Sequence, residues 1–164
     1  MALDNKRKNR LRHVIRVTMV AIAALLLFFA LIIPVINNAI ALGIERDLKA
    51  IALPERTEVV ESTSVAGKLM GNGNGMQYFG AVLLKSELTL TELQAHYAAQ
   101  QDSLDCVVEP QISAEIYPAG NRLNGVSDLS FRESIGGEGY YILYAWADAP
   151  AWSRDLLNTD MRGH

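Results

Sequence analysis

The chain has 164 residues, half of them hydrophobic, and carries 15 Lys and Arg against 18 Asp and Glu. Six of the cations and only one acid, Asp4, precede residue 17, so the remainder bears a net charge of about −8, which argues against nucleic acid as a partner. A single cysteine, Cys106, excludes an intramolecular disulfide, so any outer domain must be held by its core alone.

Residues 1–16 form a basic leader suited to the anionic cytoplasmic face of a membrane. Residues 17–36 (VTMVAIAALLLFFALIIPVI) then run for 20 positions without a charge. At a rise of about 1.5 Å per residue, that length crosses a hydrocarbon core of about 30 Å. Ala and Leu favour helix there, and Pro34 lies near the far end, where it can kink the helix without breaking the crossing. The uncharged stretch continues to Ile44, so the membrane helix can extend that far. The cation excess before it places the amino terminus in the cytoplasm and residues from about 45 onward outside. A cleaved signal peptide is the competing reading, since Ala39, Ile40 and Ala41 offer a small-x-small site for release after Ala41. The lack of disulfides and of any Asn-x-Ser/Thr acceptor leans toward a bacterial cell envelope.

Residues 45–55 read as a stalk, because Ile44, Leu48 and Ile51 keep helical spacing and Pro54 stops it. Residues 56–148 are long enough for one domain. Val, Thr and Ser make 57–69 a strand. The Asn-Gly pairs of GNGNG (71–75) signal a hairpin turn. Residues 76–86 form a second strand, apolar on both faces and therefore central. Thr89 and Glu92 make a capping box, flanked by Leu88 and Leu93 as a hydrophobic staple, which opens a helix over 90–101. Residues 103–110 give a third strand, ended by Pro110. A loop over 118–125 follows, then a second hairpin of 126–134 and 140–148 across IGGEG (135–139). The tail, 149–164, holds at most a helical turn at 152–157. The expected fold is α+β: about five mainly antiparallel strands with one helix on the sheet, in the order β-β-α-β-β-β, after one transmembrane helix.

Chemistry is sparse. The GNGNG glycines serve a tight turn or, alternatively, an anion loop, but no helix start or supporting cation follows them. The outer part has two histidines, His96 and His164, and neither is patterned with Cys106 as a nucleophile–base pair. Glu58 and Glu61 are expected on opposite faces of a strand, and Glu109 and Glu115 flank a proline turn, so no carboxylate pair converges. No catalytic residue, cofactor or metal ligand is assigned. The aromatic strand is the candidate recognition feature. Tyr140, Tyr144 and Trp146 share one face, and the helix is expected on the smaller-residue face opposite. That leaves either an open stripe for a peptide, glycan or partner protein, or a core covered by the tail or by residues 111–123. The expected function is a single-pass, membrane-anchored, non-catalytic extracytoplasmic domain that binds a partner protein or envelope component. The alternatives are an envelope enzyme centred near the GNGNG loop, or a secreted domain.

Overall fold

One helix, α1 (Ala2–Ala50), runs for 49 residues without interruption, about 74 Å at 1.5 Å per residue. It is seen in a computed structural model that describes residues 2–70, 75–100, 104–121, 123, 129–149, 151 and 154–160. Pro34 sits within the helix and does not end it. The two halves have different surroundings. Over residues 11–31, Leu, Val, Ile and Phe side chains stand exposed, Val20 at 69% and Leu26 at 64%. This helix is long and apolar enough to span a membrane. From Ile33 the same helix becomes a core element, burying Ile33, Asn37, Ala41, Ile44, Glu45 and Leu48. These positions recur every three or four residues and so form one face. Residues 45–50, expected as a stalk, are the last turns of this packed half.

The domain is α+β, with an antiparallel sheet of four strands in the order β1-β2-β4-β3. β1 (Thr57–Gly67) pairs with β2 (Gln77–Ser86), β2 with β4 (Tyr140–Asp148), and β4 with β3 (Cys106–Pro110). β2 is buried along nearly its whole length, as its two-sided apolar pattern requires of a central strand. α2 (Leu90–Ala98) connects β2 to β3. Its start is fixed by the capping box: Thr89 Oγ1 accepts from the Glu92 N–H, and Glu92 Oε2 accepts from the Thr89 N–H at 2.8 Å. A short helix, α3 (Arg154–Leu157), lies in the tail.

Two cores flank the sheet. On one face α1 and α2 cover Tyr78, Val82, Leu84, Leu143 and Ala145 with Ile44, Leu48, Leu93 and Tyr97. On the other face, irregular chain contributes Leu69, Ile116, Leu123 and Phe131 over Phe79, Leu83, Ile142 and Tyr144. Each fully buried large apolar side chain contributes about 1.5–3 kcal/mol of transfer free energy.

The strand count and order correct the sequence expectation. Residues 129–134 are not a strand; Ser130 makes only an isolated bridge to Glu115. β4 is not the second arm of a hairpin with that segment but inserts between β2 and β3. The reason lies in β4 itself, where Ile142, Leu143, Tyr144 and Ala145 are all buried. A strand buried on both faces belongs in the middle of a sheet, with a neighbour on each side. The Leu129 and Phe131 alternation that suggested a strand serves instead to point those side chains onto the sheet face. Residues 71–74 of the GNGNG turn, 101 at the expected end of the helix, 126–128, Trp152 and His164 lie outside the described residues.

Candidate functional site

The aromatic stripe is not an open face. Tyr144 is 3% exposed, while Tyr140 and Trp146 are half-buried. Phe79 on β2 lies between them, its ring 5.7 Å from Tyr144 and 4.7 Å from Trp146. Lys85 Nζ caps the Tyr140 ring at 3.9 Å, a cation–π contact. The helices do take the smaller-residue face, and the stripe is covered by Ile116, Leu123 and Phe131. Burial, with the neighbouring Glu109 carboxylate, pushes the Tyr144 hydroxyl up to about 12. It therefore stays protonated.

The carboxylates of β1 are arranged differently from the simple alternation. A bulge between Val59 and Glu61 shifts the register, so that Glu58 faces Lys85 and Glu61 faces Leu83. Lys85 and Leu83 are two apart on β2, so Glu58 and Glu61 share a face. The extra residue, Val60, is what breaks the period of two. Glu61 is engaged structurally: its Oε2 accepts the Arg132 and Glu133 N–H groups at 2.8 and 3.0 Å. His96 Nε2 is committed to the Ala52 carbonyl at 2.7 Å and to Gln100 at 2.8 Å. Burial raises the Cys106 thiol above its ordinary value, which disfavours the nucleophilic thiolate. Among the described residues, no group of three or more His, Cys, Asp or Glu is placed to hold a metal ion.

Two buried polar clusters escape a reading based on hydropathy alone. Glu45, 8% exposed, accepts from Lys49 Nζ at 2.9 Å, Ser62 Oγ at 2.6 Å and Ser64 Oγ at 2.8 Å. Burial pushes its carboxyl up, but these donors outweigh that effect and hold it below the ordinary value. Asn37, fully buried, donates to Asp160 Oδ2 at 2.8 Å and the Leu157 carbonyl at 3.2 Å, and accepts from the Tyr78 hydroxyl at 2.8 Å. It ties the tail to α1. The available signal was the spacing of Ile33, Asn37, Ala41, Ile44 and Leu48, which repeats with the period of one helix face.

A concave feature lies at the end of β3. A groove of about 570 Å³ is lined by Glu109, Pro110, Gln111, Ile112, Ser113, Glu115, Tyr117, Ala119 and Gly120. Ile112 is 88% exposed at its lip, and Tyr117 42%. The loop is internally held. The Gln111 side-chain amide donates to the Ser113 and Glu115 carbonyls at 2.8 and 2.7 Å. Glu109 Oε2 accepts the Ala119 N–H at 3.0 Å, and the Tyr117 hydroxyl donates to the Glu115 carboxylate. Ala119 has φ +50°, a left-handed conformation that costs a non-glycine residue about 1–2 kcal/mol. Apolar side chains and two carboxylates in its lining give the groove the makings of a binding surface. Sequence reasoning noted Glu109 and Glu115 only as flanking a proline; Ile112, a branched residue in a polar turn, was the missed signal. No protein-family model, no curated protein and no solved structure matches the chain.

Proposed function

We propose that this chain is a single-pass membrane protein, with its amino terminus in the cytoplasm, that holds a non-catalytic α+β domain outside the cell membrane to bind a partner protein or envelope component. One observation carries the reading: α1 is apolar and exposed over residues 11–31, and the same helix then enters the core of the domain. Water is a poor solvent for the first half, whereas lipid suits it. Release after Ala41 is disfavoured by packing. It would remove Ile33 and Asn37 from the interior and leave Tyr78 and Asp160 without the Asn37 hydrogen bonds. The six leader cations support the orientation, and the net charge of about −8 on the remainder suits a basic partner.

The test is fractionation of cells expressing the full chain with a different tag at each end. The full-length mass should stay in carbonate-washed membranes. Protease added to wall-stripped cells should remove the carboxyl-terminal tag and spare the amino-terminal one. A soluble product lacking residues 1–41, or the opposite protease pattern, would refute the anchor or its direction.

A further inference from the structure

We propose that the groove at the end of β3 takes an extended basic and apolar peptide segment of a partner protein, with its Lys or Arg side chains on Glu109 and Glu115 and its apolar side chains on Ile112 and Tyr117; the assignment rests on the partner-binding reading above. Beyond α1, the exposed large apolar residues among those described are Leu53, Val59, Val107, Ile112, Tyr117 and Leu156. Three of these six belong to β3 or to the chain just after it, more than to any other segment of the domain. A bare Ile112, 88% exposed, offers apolar surface that a docked side chain would take out of water.

Charge selects the partner. Among the described residues, no Lys or Arg lines the groove and neither Glu109 nor Glu115 is ion-paired. An incoming ammonium or guanidinium would be attracted to these two carboxylates, whereas an anionic segment would be repelled. The carboxylates are also held in place before binding, by the Ala119 N–H and the Tyr117 hydroxyl, so little ordering cost remains. The strained φ of Ala119 is part of this preparation, because it aims that N–H at Glu109.

The backbone favours an extended occupant. Among the described residues, β3 is an edge strand, paired only with β4. The Gln111 N–H donates to the Tyr140 carbonyl at 2.9 Å, which makes 111, 109 and 107 the inward-bonding positions of the ladder. Alternation turns the N–H and C=O of Val108 outward, beside the groove. Pro110, also outward, has no N–H to leave unpaired there. A short strand laid along this edge would meet a donor and an acceptor at Val108 and carry its side chains toward Ile112 and Glu109.

The experiment uses the full-length chain in lipid nanodiscs, panned with a phage-displayed random dodecapeptide library and with empty nanodiscs as the blank. Enriched peptides should carry Lys or Arg next to a branched or aromatic residue. Their affinity should fall about tenfold in a Glu109→Gln/Glu115→Gln variant, as expected for two partly exposed charge pairs. A similar fall is expected in Ile112→Asn and on raising NaCl from about 50 to about 500 mM, but none in Glu58→Gln. Glutamine keeps an acceptor for the Ala119 N–H, so an unchanged melting curve serves as the folding control. Peptides without cations, or peptides that bind the double variant as tightly as the wild type, would overturn the groove assignment while leaving a binding role intact. No enrichment over empty discs would overturn the assignment and count against the binding role as well. Saturable binding of dodecyltrimethylammonium, with no peptide selected, would give the groove to a cationic amphiphile and refute the peptide. The anchor is judged separately, by the fractionation above.

Discussion

Gly80 lies directly beneath Glu45: a Cβ on Gly80 would stand 2.7 Å from the Glu45 backbone nitrogen and 2.9 Å from Cγ2 of Ile44. This close approach of helix to strand seats α1 on β2, and it brings the Glu45 carboxylate to Ser62 and Ser64 on the neighbouring strand. Gly80→Ala should lift α1 from the sheet. Overpacking of this kind costs about 1–3 kcal/mol, which corresponds to a Tm lower by roughly 5–15 °C in a domain of this size. Thermal melts of the full chain in nanodiscs check it; an unchanged Tm would show that the helix does not sit so close.

Glu45 should make the domain acid-sensitive. Its folded carboxyl lies below the ordinary value of 4.5, so its contribution is present above that value and is lost as pH falls through the folded one. Glu45→Gln mimics the protonated side chain. The variant should be less stable by about 1–3 kcal/mol near neutral pH, and the two stability curves should converge as pH falls through the lowered folded value. Urea titrations across that range provide the measurement. A stability gap that stays the same at low pH would mean that the charge on Glu45 contributes nothing.

Asn37 should control the tail. Asn37→Ala deprives the Tyr78 hydroxyl of its acceptor, and Asp160 and the Leu157 carbonyl of a donor. Buried partners left in this way cost about 1–3 kcal/mol each. Hydrogen exchange over 154–160 should quicken by at least about tenfold, ahead of any global loss. Protection equal to that of the wild type would separate the tail from Asn37.

How much of this was legible in sequence follows from how local each signal is. The helix over 90–98 was readable because Thr89 and Glu92 satisfy its first amides within four residues. β2 was readable as central because its own side chains are apolar in both directions. The placement of β4 between β2 and β3 depends on pairings across 31 to 71 residues, which no local pattern encodes. The bulge at Val59/Glu61 defeated strict alternation and moved Glu61 to the face of Glu58. α1 was the subtlest case. Its hydropathy reported the exposed apolar half, and the same apolar composition concealed that residues from Ile33 onward face protein. The groove was illegible because Ile112 and Glu115 are brought together by hydrogen bonds from Gln111, not by periodicity.

Tyr144→Ala should unfold the domain, not leave a folded protein that has lost a partner. The side chain is 3% exposed and packs against Phe79. Truncating a buried aromatic costs about 3–5 kcal/mol, a large part of the roughly 5–15 kcal/mol that holds a typical domain together. Near-ultraviolet circular dichroism of the variant decides the point. A native spectrum with an unchanged Tm would return Tyr144 to the list of recognition residues.

Tyr97→Phe should go the other way. Tyr97, on the inner face of α2, is 2% exposed, and its hydroxyl has no hydrogen-bond partner among the described residues. Burial, together with Cys106 nearby, pushes that hydroxyl up to about 12, so it is a neutral group deprived of water. A buried Tyr that makes its hydrogen bond typically loses about 1 kcal/mol on conversion to Phe. Here the substitution removes a desolvated polar atom and keeps the ring, so the variant should equal the wild type or exceed it by about 0.5–1 kcal/mol. Paired urea titrations of the two proteins give the sign. A loss of 1 kcal/mol or more would reveal a hydrogen-bond partner for the hydroxyl, and the interior between α2 and β3 would then be more polar than its side chains indicate.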